Sequence, residues 1–212
     1  VMYQEAMIPV CQHLVNVPLT DVQFYLDYYR AHRRSNGSYN GAPADAGGDG
    51  NILNTYWALY AASVLGAPKE KVNETVNWLQ SCQLKNGGFT HQPNAQIGAN
   101  DDVAYTWAAI KALQILNAKP GNTHAAIAYL LALHNADGGF GDRPGLHSTP
   151  VATYYAIDAL KALGALTALN RAALPTPPTV PHPDFNGYKI YTVQYQAQGG
   201  GSPKEAVMLA DR

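Results

Sequence analysis

Charge is scarce in this 212-residue chain: Asp, Glu, Lys and Arg make up 14% of it, and the formal net charge is -1. A surface with so little fixed charge lacks the basic footprint that nucleic acid or an anionic membrane requires, which excludes both as partners. Cysteine is nearly absent, with Cys11 and Cys82 alone. Two thiols so far apart build neither a disulfide framework nor a paired metal ligand, so they are expected as buried thiols, and the redox compartment stays open. Long apolar runs are missing as well. The richest, from Ala125 to Leu133, is about half of what a membrane span needs, and no basic and apolar leader precedes Tyr3. Phenylalanine is rare, with 4 residues against 14 tyrosines. That ratio suits a wet, aromatic-lined surface, because tyrosine joins an apolar ring to a polar tip.

What is present is a repeat. Asn36-Gly37-Ser38-Tyr39, Asn86-Gly87-Gly88-Phe89 and Asp137-Gly138-Gly139-Phe140 recur at nearly equal intervals, each ending in an aromatic residue. An amphipathic run precedes each turn, with Tyr28, Trp78 and Tyr129 at matched positions. Each run reads as a helix stopped at Asn/Asp-Gly, where glycine accepts the left-handed conformation at little steric cost. A loop of about a dozen residues follows, then a more apolar helix, in which Thr55, Thr106 and Thr153 fall in register, as do Leu65, Leu116 and Leu163. Each unit is therefore helix, glycine turn, loop, helix. The first helix of each pair is the more polar and is expected on an outer ring; the second is apolar all round and is expected inside. Such a unit cannot cover its own apolar face, so neighbours must stack.

The stretches WLQSCQLKNGGF and ALHNADGGFGDRPGLHSTPVATYYAIDALKAL resemble the prenyltransferase and squalene-cyclase repeat, over about Asp21 to Leu166. The resemblance implies an all-α fold, a partial αα-toroid of about three helical hairpins near 21–67, 70–118 and 122–170, within a domain spanning 1–174. Tyr3 to Val15 is expected to add an unpaired helix. A proline-rich linker over 175–184 should run extended, and a short strand-helix segment over 185–212 reads as the start of a further domain. In that segment YKIYTVQYQAQ alternates like a strand, while Ser202 and Pro203 read as a helix N-cap and first helical residue after Gly199 to Gly201.

The resemblance also supplies tests of chemistry. Protein prenyltransferases hold a zinc-bound thiolate with an Asp, a Cys two residues later and a His. Here Asp102 matches, but Ala104 stands for the cysteine and Ala152 for the histidine, so no zinc is expected. Terpene cyclases protonate an alkene with the middle acid of an Asp-x-Asp-Asp motif. In Ala99-Asn100-Asp101-Asp102 the pair of acids remains while the first is lost. On that reading Asp101 is the acid beside Asp102, and Tyr56, Trp57, Tyr105, Trp107, Tyr154 and Tyr155 line a cavity that stabilises a carbocation through its ring faces. Two acids just ahead of a helix also suit simple capping. A third reading puts Asp45, Asp49, Asp101, Asp102 and Asp142 at one rim beside Arg143, where calcium and a sugar would bind.

Three functions therefore stand open. The first is a binding or scaffolding module with an aromatic concave surface, taking a hydrophobic or isoprenoid small molecule or a protein partner, with no cofactor. The second is a cyclase acting through Asp101, and the third a carbohydrate-active site at the acidic rim.

Overall fold

The computed structural model describes residues 2–93, 101–170, 189–195 and 204–210. It divides into two compact units, Val1–Pro177 and Pro178–Arg212. Among the described residues the first holds seven α-helices: α1 (Met2–Leu14), α2 (Val22–Ala31), α3 (Ile52–Val64), α4 (Val72–Ser81), α5 (Val103–Ile115), α6 (Thr123–Ala132) and α7 (Pro150–Ala162). α1, α3, α5 and α7 pack side by side in that order as the inner row. α2, α4 and α6 are the outer members of three hairpins, as the repeat requires. α6 departs from the expected polarity, since its sequence THAAIAYLLA is apolar on most of its surface.

The four inner helices are all 13 residues long. Each stops at a residue in the left-handed region: Asn16 (φ 54), Gly66 (φ 70), Asn117 (φ 57) and Gly164 (φ 69). Equal length and a shared stop put α1 in register with the other three as the first helix of the inner row. Pro9 lies within it and has no N–H for the carbonyl of Glu5. The hydroxyl of Tyr29 on α2 donates to that carbonyl at 3.1 Å and satisfies it.

Each turn is tied to its inner helix by the same bond. The amides of Tyr39, Phe89 and Phe140 donate to the hydroxyls of Thr55, Thr106 and Thr153, each at 3.0 Å. Those threonines are the fourth residues of α3, α5 and α7. The aromatic rings are buried beneath the turn, and the bonds of Tyr39 and Phe89 are buried with them while that of Phe140 is partly so, so the first two amides in particular need this acceptor. Gly37 (φ 86), Gly87 (φ 96) and Gly138 (φ 85) supply the left-handed step that sends the chain back. A β-carbon at Gly37 would also strike Thr75 of α4, and one at Gly87 the carbonyl of Ala125 on α6. The first turn of the following outer helix thus lies directly on the glycine.

Repeats are further joined through the backbone. The first amide of α3, Ile52 N, donates to His91 O at 3.0 Å, and that of α5, Val103 N, to Asp142 O at 2.9 Å. The side chain of Arg33 reaches the carbonyl of Lys71 (3.2 Å) and the hydroxyl of Thr75 (3.1 Å), while Gln83 exchanges bonds with Asn122 at the start of α6. Cys82 is buried, as expected, and burial pushes its thiol pKa up; Cys11 is instead exposed on α1.

The second unit contains β1 (Lys189–Tyr195) and β2 (Lys204–Ala210), paired antiparallel with Lys189 opposite Ala210 and Tyr195 opposite Lys204. The helix expected after Pro203 is therefore a strand over 204–210. Seven residues of β1 present backbone donors and acceptors that an isolated strand leaves unpaired, and a partner strand satisfies them as a helix does not. The linker at 175–184, Gly199 to Gly201, Ser202 and Pro203 lie outside the described residues.

Thr106 is fully buried and Thr153 half-buried. Replacing Thr106 by Val orphans the Phe89 amide and should destabilise the domain by about 1–3 kcal/mol. Thr153→Val should cost less, since water can reach the amide it leaves. Chemical denaturation of the two variants checks the order.

Candidate functional site

Six aromatic side chains meet along one side of the inner row. Tyr3 of α1 stands edge-on to Trp57 of α3 with ring centroids 4.9 Å apart. Tyr56 of α3 meets Trp107 of α5 at 4.7 Å, and Trp107 stacks on Tyr155 of α7 at 4.4 Å. Tyr154 continues the series beside Tyr155, with centroids 5.7 Å apart. Tyr56 and Trp107 are buried, Trp57 and Tyr155 are half-buried, and Tyr3 and Tyr154 are exposed. The buried pair forms a floor, and the other four leave ring faces and edges accessible. α3 and α7 each give two residues to this row and α1 and α5 one each, with Tyr56, Trp107 and Tyr154 at matched positions because successive helices present the same positions to the same side.

A polar pair sits next to the floor. Trp107 Nε1 donates to Asp158 Oδ2 at 2.8 Å, and Lys111 Nζ lies 3.2 Å from the same carboxylate. The indole is thereby held in one orientation by α7, and the half-buried ion pair costs little because both its members keep partial access to water. Position and spacing place Asp158 one helical turn beyond Tyr154, a signal in the sequence that composition alone does not single out.

Tyr105 lies apart from this row. Its ring is 5.9 Å from that of His91, and its amide donates to Asp102 Oδ1 at 2.9 Å. Asp102 is the N-cap of α5, a place taken by Asn51 in α3 and Thr149 in α7, each accepting from the amide three residues on. Asp101 accepts from Asn86 Nδ2 at 2.8 Å and packs against Gly88. In the third repeat Ser148 occupies that place, and its hydroxyl donates to Asp137 at 2.7 Å. Both acids are thus engaged in building the second glycine turn. Tyr129 stands close by; burial and the negative charge of Asp101 push its hydroxyl pKa up. Ala99 and Asn100 lie outside the described residues.

Of the other loop residues, Asp142 and Arg143 lie near enough to act on the charge of Asp102. Among the described residues no three His, Cys, Asp or Glu side chains converge as a metal would need. At the zinc position only Asp102 offers a donor, for Ala104 and Ala152 carry methyl groups. The residues present do not fit a zinc site of the prenyltransferase kind. No helix of the described residues is long and apolar enough to cross a membrane.

A row of inner helices joined to outer ones by glycine turns defines an αα-toroid repeat domain. The family model described as the prenyltransferase alpha-alpha toroid domain matches residues 8–183, and the chain belongs to that family. Among its relatives, the geranylgeranyl transferase type-1 subunit beta of Arabidopsis thaliana is 28% identical over 128 residues, 58% of this chain and 34% of the relative. The type-2 subunit beta of Candida albicans is 25% identical over 139 residues, 59% of this chain and 38% of the relative. The chain therefore matches little more than a third of the length of these curated relatives. Candida albicans protein geranylgeranyltransferase-I, solved in complex with GGPP, shares the fold with a TM-score of 0.65 at 19% identity, over 88% of this chain and 61% of that one.

Burial pushes the Asp102 carboxyl pKa up, opposed by the Tyr105 amide and by Arg143. A folded-state pKa above the unfolded one means that the fold loses stability as pH rises through it. Asp102→Asn keeps a capping oxygen without the buried charge, so it should match or exceed the parent in melting temperature at pH 7. The difference should vanish below the ordinary carboxylate range, where both states of Asp102 are protonated. Asp102→Ala should cost about 1 kcal/mol at either pH.

Proposed function

We propose that this domain is a binding module for an isoprenoid-type hydrophobic chain, received on the aromatic row of its inner helices and handled without the zinc-thiolate chemistry of the prenyltransferases. The observation that carries this reading is the continuous run from Tyr3 through Trp57 and Trp107 to Tyr155 and Tyr154, with buried rings below and accessible rings above. An unsaturated, branched hydrocarbon gains from such a surface through apolar burial and through contact with ring faces. The relatives support the ligand class: two are geranylgeranyl transferase subunits, and the solved structure of similar fold carries GGPP.

The loss of both the cysteine and the histidine supports binding over thiol alkylation. A prenyl transfer needs a metal-lowered thiol pKa to make the thiolate at neutral pH, and two alanines supply no ligand. The cyclase reading draws less support. A general acid of that kind must stay protonated in an apolar cavity, whereas Asp101 accepts a hydrogen bond from the amide of Asn86 at an exposed turn.

Native mass spectrometry with geranylgeranyl diphosphate is the test, with tryptophan emission as a second readout from Trp57 and Trp107. One molecule of ligand should be retained and the emission should change. Trp57→Ala removes an accessible ring, and it should weaken binding on the order of tenfold, corresponding to about 1.4 kcal/mol. No retained ligand together with unchanged emission would sink the proposal.

A further inference from the structure

The first repeat keeps a gap at a place where the other two carry a large side chain. Aligned on Thr55, Thr106 and Thr153, the inner helices have Ala62, Leu113 and Leu160 at one position, and both leucines are fully buried. Ala62 is additional to the inaccessible alanines that all three helices share: Ala58 and Ala61, Ala109 and Ala112, Ala156 and Ala159. Tyr29 of α2, at the place of Leu79 and Leu130, forms one wall of the gap, and its hydroxyl is tied to the carbonyl of Glu5. The result is a pocket of about 200 Å³ between α2, α3 and the end of α5, with Leu26, Leu59, Ala62, Ile115 and Leu116 in its lining. Empty apolar space forfeits packing energy, and a leucine at position 62 would recover part of it.

The same comparison sets the mouth of the pocket apart. The loops entering α4 and α6 match from Gly66 and Asn117, both left-handed, to Lys71 and Asn122, the residues just before each helix. In the second loop Pro120 is buried, and Gln80 Nε2 donates to Lys119 O at 2.9 Å, so outer helix and loop close on each other. In the first, Lys69 takes the place of Pro120 and is exposed, while Arg30 takes that of Gln80. Arg30 is engaged: its Nη1 lies 3.1 Å from Asp27 Oδ1 and its Nε 3.6 Å from Glu70 Oε1. Lys69 has no ion-pair partner among the described residues. Of the charged residues that line the pocket, Arg30 and Glu70 offset each other and Lys69 is left over.

The pocket also holds an unmet donor. Tyr39 is 9% exposed and its amide is bonded to Thr55, but its hydroxyl has no hydrogen-bond partner among the described residues. The charges of Arg30 and Glu70 reach that hydroxyl. A phenol buried to this degree normally finds an acceptor.

We propose that this pocket binds a small monocarboxylic acid whose apolar body is about the size of one benzene ring. The carboxylate accepts from the Tyr39 hydroxyl and faces Lys69, and the body occupies the space of the leucine absent at position 62. A cavity of about 150 Å³ holds one benzene ring, so this one has room for a ring and a short arm. The single surplus cation matches a single negative charge. None of the lining residues belongs to the aromatic row, so the inference stands apart from the ligand assigned there.

The probe is 3-phenylpropanoate, titrated into the full chain and followed by NMR. It should bind one-to-one with a Kd below about 1 mM, and 3-phenylpropanamide, of the same shape without the charge, about tenfold more weakly. Lys69→Gln should bring the carboxylate down to the level of the amide at an unchanged melting temperature, because Lys69 is exposed and unpaired. Ala62→Leu should bind neither compound and melt at or above the temperature of the parent, as Leu113 and Leu160 fit their own repeats. Three results would overturn the proposal: no saturable binding of 3-phenylpropanoate by the parent; equal binding by the parent and Ala62→Leu, which puts the compound elsewhere; or an amide that binds as tightly as the acid. Should Ala62→Leu not fold, Lys69→Gln decides alone, and an unchanged affinity there also overturns it.

Discussion

The bond between a turn amide and a threonine hydroxyl is the constraint on which the arrangement of each repeat depends. It forms where the chain reverses, between the aromatic residue that plugs the hairpin and the fourth residue of the inner helix. Without it the amides of Tyr39 and Phe89 would be buried with no acceptor, a cost comparable to a sizeable part of a domain's net stability, and that of Phe140 would be left to water. The glycine two residues before each aromatic then has two duties. It takes the left-handed step that aims the amide at the threonine, and in two of the three turns it leaves room for the following helix to lie on the turn itself.

Stacking follows from that geometry. Once the threonine fixes the turn relative to the inner helix, the same side of each inner helix faces the same way, so large leading residues always meet alanines. Alanine lets the helices approach closely, and aromatic and branched residues on the leading side fill the space between them. The aromatic row is a by-product of this rule. Tyr56, Trp107 and Tyr154 occupy matched positions on neighbouring helices, and with Trp57 and Tyr155 beside them they become a candidate binding surface.

The repeat was legible because three turns share residues whose backbone requirements are strict. Glycine at positive φ, an aromatic residue after it and a threonine downstream leave few alternative arrangements, and the resemblance to the toroid repeat rests on those same residues. The acidic pair was harder to read. Asp101 and Asp102 form half of an acid motif and also suit a helix start; seeing Asn51 and Thr149 perform the same capping at matched positions required the structure. The C-terminal segment misled because Ser-Pro is a helix-start signal of local origin, while the pairing of residues 189–195 with 204–210 depends on a strand elsewhere in the chain.

By itself the sequence determined the periodicity, the hairpins and the inner and outer helices, because each rests on local spacing or on residue identity. Tertiary structure alone decided which aromatics join the row, that Tyr105 stands outside it, that Asp158 anchors Trp107, and that Tyr154 is exposed where Tyr56 and Trp107 are buried. These are relations between side chains on different helices, and they exist only once neighbouring repeats have stacked and removed water from one face while leaving the next exposed.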